Sequence, residues 1–203
     1  MSVLTLKQAG SEPLNFSRLS ILVADGDQFA VDILGQILRG FGVGQTSIAT
    51  TGAAAMGMMD RLEFDLIVAE AALPDMDGTD IVRWIRRHEK DAVRYTPVVM
   101  LTGHTEFKRI ESVRDCGANS VVKKPVSPST LFDHIAWSAC TSRAFILGPS
   151  YFGPDRRFRH LGPPDGVGRR SGDLPAEIGT ASEPNLSQDE VDSFMRPTKI
   201  RIE

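Results

Sequence analysis

The 203-residue sequence predicts an α/β domain: a five-stranded parallel sheet, doubly wound with helices on both faces and followed by a largely disordered tail. Three observations predict it. Between Leu19 and Cys140, five short β-rich runs alternate with five helical patterns, the order of a repeated strand–helix unit. The runs LSILVA, SIA, DLIVA, PVVML and NSVV are nearly continuous in apolar character, as in strands covered on both faces. Finally, 41% hydrophobic residues, with 10 Phe among the aromatics, supply a core of ordinary size, which excludes wholesale disorder.

The first helix is expected over 28–41, where Ala30, Ile33, Leu34, Ile37, Leu38 and Phe41 recur at three-and-four spacing and make one apolar stripe. Further helices are expected over 52–62, 79–89, 105–116 and 128–139, with Trp84 and Trp137 read as helix packing. The last has clear punctuation: Ser127 can cap free amides, and Pro128 at the first helical position needs no amide partner. The α/β domain therefore occupies 17–141, after an N-terminal extension at 1–16. Beyond it the composition changes. Residues 143–185 hold 13 Pro and Gly in 43 positions, a level that reads as poorly folded, so 142–185 is expected to be a Pro/Gly/Arg-rich linker. Its arginines suit either a solvated linker or an anion contact. Residues 186–203 form a tail with a short amphipathic helix.

The formal charge of −3 gives no general attraction to nucleic acid. After residue 142 no pair of periodic helices is joined by a tight turn, so DNA binding is not expected. No apolar run reaches membrane-spanning length and the N-terminus lacks the order of a secretory signal, so no membrane partner and a cytoplasmic location are expected. Two cysteines, Cys116 and Cys140, make no disulfide framework and read as small buried side chains.

In an open α/β sheet chemistry sits beyond the carboxyl ends of the strands. There the sequence places Asp25-Gly26-Asp27, Glu70, Thr102, and Lys124 followed by Pro125. A carboxylate cluster, a hydroxyl and an amine on one rim suit a phosphoryl group, with the acids on a divalent metal and Lys plus Thr on the phosphoryl oxygens.

With ILVADGD, FDLIVAEAALPDMDGTDIV, PVVMLTGH and SVVKKP in this order, the chain over 18–140 resembles the receiver domain of bacterial two-component response regulators, of the chemotaxis-regulator type. The resemblance implies a cytoplasmic phosphorelay signalling protein that is not an enzyme. It implies Glu70 at the phosphoacceptor position, Asp25 and Asp27 in the acidic pocket, Thr102 as switch hydroxyl and Lys124 as the phosphate-contacting lysine. It also implies Mg²⁺ on Asp25 and Glu70. Three positions depart from the pattern: the second of two adjacent acids falls on Gly26, Glu70 stands where an Asp is usual, and Val121 replaces an aromatic. The extra methylene carries the Glu70 carboxylate about 1.5 Å further from its strand. In-line phosphoryl transfer depends on positioning, so an impaired or phospho-mimicking site with weak or absent Mg²⁺ is expected. Asp27, one residue late, reads chiefly as the cap of the first helix, and His104 as an exposed loop residue. Two alternatives are a conventional receiver phosphorylated on Glu70 and a phosphatase resembling the haloacid dehalogenases, through Asp25-x-Asp27, Thr102 and Lys124. Phe29 and the lack of a later acidic pair stand against the second.

In NLSQDEVDSFMRP, Ser187 and Glu190 form a capping box, Leu186 can staple onto Val191, and Phe194 and Met195 continue the apolar face. So short a helix orders only against a partner. The segment resembles the receiver-binding peptide of the flagellar motor switch protein. That implies a tail that binds a receiver, its own or another, with histidine kinases or other receivers as the chain's partners; a terminal helix of no particular specificity is the other reading.

Overall fold

A computed structural model describes residues 14–103, 106–140, 145–148, 151–155, 187–189 and 191. Strands and helices alternate as β1 (Ser20–Ala24), α1 (Gln28–Gly40), β2 (Gln45–Ala49), α2 (Gly52–Met59) and β3 (Leu66–Glu70). They continue as α3 (Gly78–Arg87), α4 (Asp91–Arg94), β4 (Val98–Thr102), α5 (Phe107–Cys116), β5 (Ser120–Lys123) and α6 (Pro128–Cys140). The five strands are parallel in the order β2-β1-β3-β4-β5. This is the doubly wound sheet the apolar runs predict.

Alternate strand residues feed two cores. Leu22, Ala24, Ile67, Ala69, Val98, Met100 and Val121 share one with α2, α3 and α5. Ile21, Val23, Leu66, Val68, Val99, Leu101 and Val122 share the other with Phe16, α1 and α6. Burying one such aliphatic side chain contributes roughly 1.5–3 kcal/mol, so the five strand ends are carried on a rigid layer. Caps fix the helix starts: Asp27 Oδ1 accepts from Phe29 N (2.9 Å), Thr51 Oγ1 from Ala54 N (3.1 Å) and Ser127 Oγ from Thr130 N (3.1 Å).

The α1 stripe differs from expectation. Val31, Leu34 and Leu38 are buried, whereas Ile33 is 40% exposed and Phe29 73%. Leu34 and Leu38 belong to both possible stripes. Burying Val31, three residues before Leu34, rolls the helix so that Ile33 leaves the interface. A second difference is α4, a single turn inside the connection to β4.

The stretch expected to be a linker begins with an antiparallel hairpin, β6 (Phe145–Leu147) and β7 (Phe152–Pro154). It packs at the opposite end of the sheet from the carboxyl ends, around Arg86. That side chain, 2% exposed, donates from Nε to Gly117 O (3.0 Å) and from Nη1 to Arg94 O and Thr96 O (both 2.8 Å). Its Nη2 donates to Asn119 Oδ1 (2.9 Å), and its guanidinium carbon lies 5.2 Å from the Phe145 ring centre. Burial pulls the guanidinium down to about 10, which leaves it charged at neutral pH. Tyr95, Phe145 and Phe152 meet edge-on or tilted at 4.9–5.6 Å, and Arg94 stacks 4.1 Å from the Phe152 centroid. Gly117 makes the seat: at φ 101° it ends α5 in the left-handed region, and a Cβ there would lie 3.1 Å from Phe152 O. Aromatic content at Phe145 and Phe152 outweighs the Pro/Gly composition around them.

One turn of the tail is also placed. Gln188, Asp189 and Val191 are helical, and Val191 N donates to Ser187 O (3.0 Å). Gln188 Oε1 accepts from Lys123 N (2.5 Å) and Gln188 Nε2 donates to Val121 O (3.2 Å). Val191 is fully buried, in the core that holds Val121, Ile110 and Val113. Leu186, Glu190, Phe194, Met195 and His104 lie outside the described residues, as does the side chain of Cys140. Cys116 is buried, donates Sγ–H to Val113 O (2.8 Å), and burial pushes its thiol up to about 11, so it is a packing residue and not a nucleophile.

Candidate functional site

The site is built on three strand ends. β1 stops at Ala24, and Asp25 is held by its backbone N–H to Ala49 O (3.1 Å) with its side chain 3% exposed. Asp25 Oδ1 accepts from Asp27 N (2.9 Å) and Oδ2 accepts from Lys124 Nζ (2.8 Å). Glu70 is the last residue of β3, with a side chain 11% exposed. Its Oε1 accepts from Ala71 N (3.0 Å), and its Oε2 forms an ion pair with Lys124 Nζ. Lys124 follows β5, its N–H donating to Thr102 O (2.8 Å) and its side chain 27% exposed. One ammonium therefore bridges two carboxylates. Burial alone would lower the Lys124 pKa, but the hydrogen bonds it donates to Asp25 and Glu70 outweigh it and hold the amine above the usual lysine range.

Asp25, Glu70 and Lys124 are thus brought together, and Thr102 is fully buried at the end of β4, in register with Lys123. Asp27 is not part of the acidic pocket expected for it. Its exposed carboxylate turns outward to the first turn of α1, because the bare N–H of Phe29 is two residues away and the pocket is one residue behind it. Gly26 sits under Pro74: a Cβ there would be 2.5 Å from Pro74 Cγ and 2.6 Å from Cδ. The missing acid is therefore matched by a loop that closes over the position.

Three residues that sequence reasoning passed over hold the loop after Glu70. Asp75 accepts from Ala53 N (2.9 Å) and Gly52 N (2.7 Å) at the start of α2, and those backbone bonds hold its carboxyl below the usual range. Asp77 caps α3 through Thr79 N (2.8 Å) and pairs with Arg109 Nη1 (2.7 Å). Burial would raise the Asp77 pKa, but the bond from Arg109 and those from Thr79 bring it below the usual value. Arg109 Nη2 also donates to Ala71 O (2.5 Å), tying α5 to the residue beside Glu70. Asp77 two residues before Thr79 is a readable cap signal; Arg109 acts 32 positions away, with no local sign.

The model of the response regulator receiver domain matches residues 21–136, more than half of the sequence. The chain belongs to the response regulator receiver family. The receiver is 29% identical over 113 residues to the chemotaxis protein CheY-3 of Vibrio cholerae, covering 56% of this chain and 85% of that protein. It is 29% identical over 117 residues to the chemotaxis protein CheY of Pseudomonas aeruginosa, covering 58% and 93%. Among solved structures it is similar to a CheY-like receiver domain protein from Methanospirillum hungatei, with a TM-score of 0.52 and 27% identity over 58% of this chain and 90% of that one. Receivers are signalling modules of two-component systems, not typical enzymes, and they interact with histidine kinases or other signalling proteins.

Receivers usually bind Mg²⁺ at this rim. Among the described residues no group of three or more His, Cys, Asp or Glu is placed to hold a metal ion. Both carboxylates that an ion would need, on Asp25 and Glu70, face the Lys124 ammonium, and Gly26 and Asp27 contribute none. This donor set, so arranged, does not fit Mg²⁺. No helix among the described residues is long and apolar enough to cross a membrane.

Proposed function

We propose that this receiver works through protein–protein contacts, with a phosphorylation site that is impaired because Glu70 is seated on Lys124. The observation that carries the reading is the ion pair between Glu70 Oε2 and Lys124 Nζ, shared with Asp25 Oδ2 at 2.8 Å. A carboxylate placed on the lysine stands where a phosphoryl oxygen would stand, and so acts as a partial mimic. It brings one negative charge, against about −1.5 to −2 for a phosphoryl group, so the mimicry biases the domain without locking it. To attack a donor, Glu70 must first leave an ammonium in a poorly hydrated pocket, which removes the alignment that phosphoryl transfer needs. Asp25, Thr102 and Lys124 keep the acidic, switch and lysine roles of the family in this reading, and Mg²⁺ binds weakly if at all. The partners are a histidine kinase or another receiver, in the cytoplasm. The outward turn of Asp27 argues against the phosphatase alternative, which needs Asp25 and Asp27 to face one substrate.

Incubating the full chain with a small acyl phosphate and Mg²⁺, read by intact mass, is the test. The expected result is no adduct on the native chain and measurable acyl phosphate on Glu70→Asp, whose shorter side chain withdraws from Lys124. Stoichiometric phosphorylation of Glu70 itself would overturn the proposal and make this a conventional phosphoacceptor.

A further inference from the structure

Among the described residues no strand lies against the outer edge of β5, since β4 pairs with its other side. An edge strand presents unpaired peptide groups to any extended or polar partner. Here two of them are taken by one side chain. Gln188 accepts from Lys123 N through Oε1 and donates to Val121 O through Nε2. In a parallel ladder one residue of the added strand bonds the C=O and N–H of residues two apart on its neighbour. The Gln188 carboxamide does the same to residues 121 and 123, so it stands in for one residue of a sixth strand.

Three residues on, Val191 supplies the apolar half of the contact. It is fully buried in the core of Val121, Ile110 and Val113, and residues 188 and 191 share a helix face at this spacing. An amide that reads backbone and an aliphatic that fills a recess make a two-point clip. The 31 residues between Asp155 and Ser187 can extend to about 100 Å, far more than the radius of a domain this size. A segment so tethered has an effective concentration on the order of millimolar at its own domain.

We propose that the turn carrying Gln188 and Val191 is a built-in occupant of the β5 edge and the adjoining α5 face, and that a helical segment of another protein with the same carboxamide-x-x-aliphatic spacing binds this surface only by displacing it. The seat is coupled to the rim, because the amide Gln188 holds belongs to Lys123 and the next residue is Lys124. The inference does not depend on whether Glu70 is reactive.

The test uses the full chain and its Gln188→Ala and Val191→Asp variants, neither of which alters the strands themselves. Amide exchange at Lys123 is expected to quicken at least tenfold in both variants, while Met100 and Leu101 in β4 keep their protection. A labelled peptide of residues 185–197 is expected to bind Val191→Asp at least tenfold more tightly than the native chain, whose seat is filled. Unchanged Lys123 exchange, or equal peptide affinity for both chains, would overturn the proposal. So would a native dimer that Val191→Asp converts to monomer, which would make a second copy the occupant.

Discussion

The two ends of the same strands handle buried charge in opposite ways. At the carboxyl ends, Lys124 is shared between Asp25 and Glu70, leaving one negative charge in excess and a side chain 27% exposed. At the amino ends, Arg86 is 2% exposed and, among the described residues, donates to neutral acceptors: three backbone carbonyls and the Asn119 amide oxygen. The first cluster can respond, because its ion pairs can be exchanged for others within reach of solvent. The second cannot, since every carbonyl it satisfies would be left bare. The sheet therefore joins an adjustable rim to a sealed one.

Removing Arg86 should break the sealed end and produce the largest effect. Arg86→Ala takes the donor from three backbone carbonyls, leaves Asn119 Oδ1 with Val98 N alone, and unseats Phe145, at a cost of about 3 kcal/mol or more; urea denaturation followed through a Trp84 signal would show it. A loss below about 1 kcal/mol would mean that solvent reaches those carbonyls and that the two ends are alike.

Lys124→Met should cost less, about 1–2 kcal/mol, because each carboxylate it abandons keeps a backbone donor, Asp27 N for Asp25 and Ala71 N for Glu70. The pH profile sharpens this. The folded pKa of Lys124 is raised, so its contribution is fully present below the unfolded value of about 10.4 and is lost as pH rises through the higher folded value. Native protein should lose stability along that alkaline limb, and the variant should lack that part of the loss.

The smallest effect is expected in the loop between the ends. Asp77→Ala removes the α3 cap and the Arg109 link, for about 1 kcal/mol near neutrality. The Asp77 carboxyl is held below its ordinary value, so its contribution is present above about pH 3.9 and fades as pH falls through the lower folded value. Native and variant stabilities should converge there in an acid titration of the unfolding midpoint.

The strands and their order of use were legible because a parallel strand buried on both faces leaves an uninterrupted apolar run, as in DLIVA. The residues at the strand ends could be named for the same reason. What escaped the sequence acts across distance. The α1 stripe was ambiguous because Leu34 and Leu38 serve either of two faces, and only the burial of Val31 decides between them. The hairpin was hidden by local composition, although Phe145 and Phe152 find Tyr95 and Arg86 some fifty residues back. Asp75 reaches α2 and Arg109 reaches Ala71 through contacts that no spacing rule contains.

Pro74 over Gly26 limits which side chains the rim can carry. An acid placed at position 26 would drive its first carbon to 2.5 Å from a proline ring, which has little room to yield. Restoring a second acid there therefore requires the 71–77 loop to shift as well, so the shape of that loop and the charge of the rim are set together.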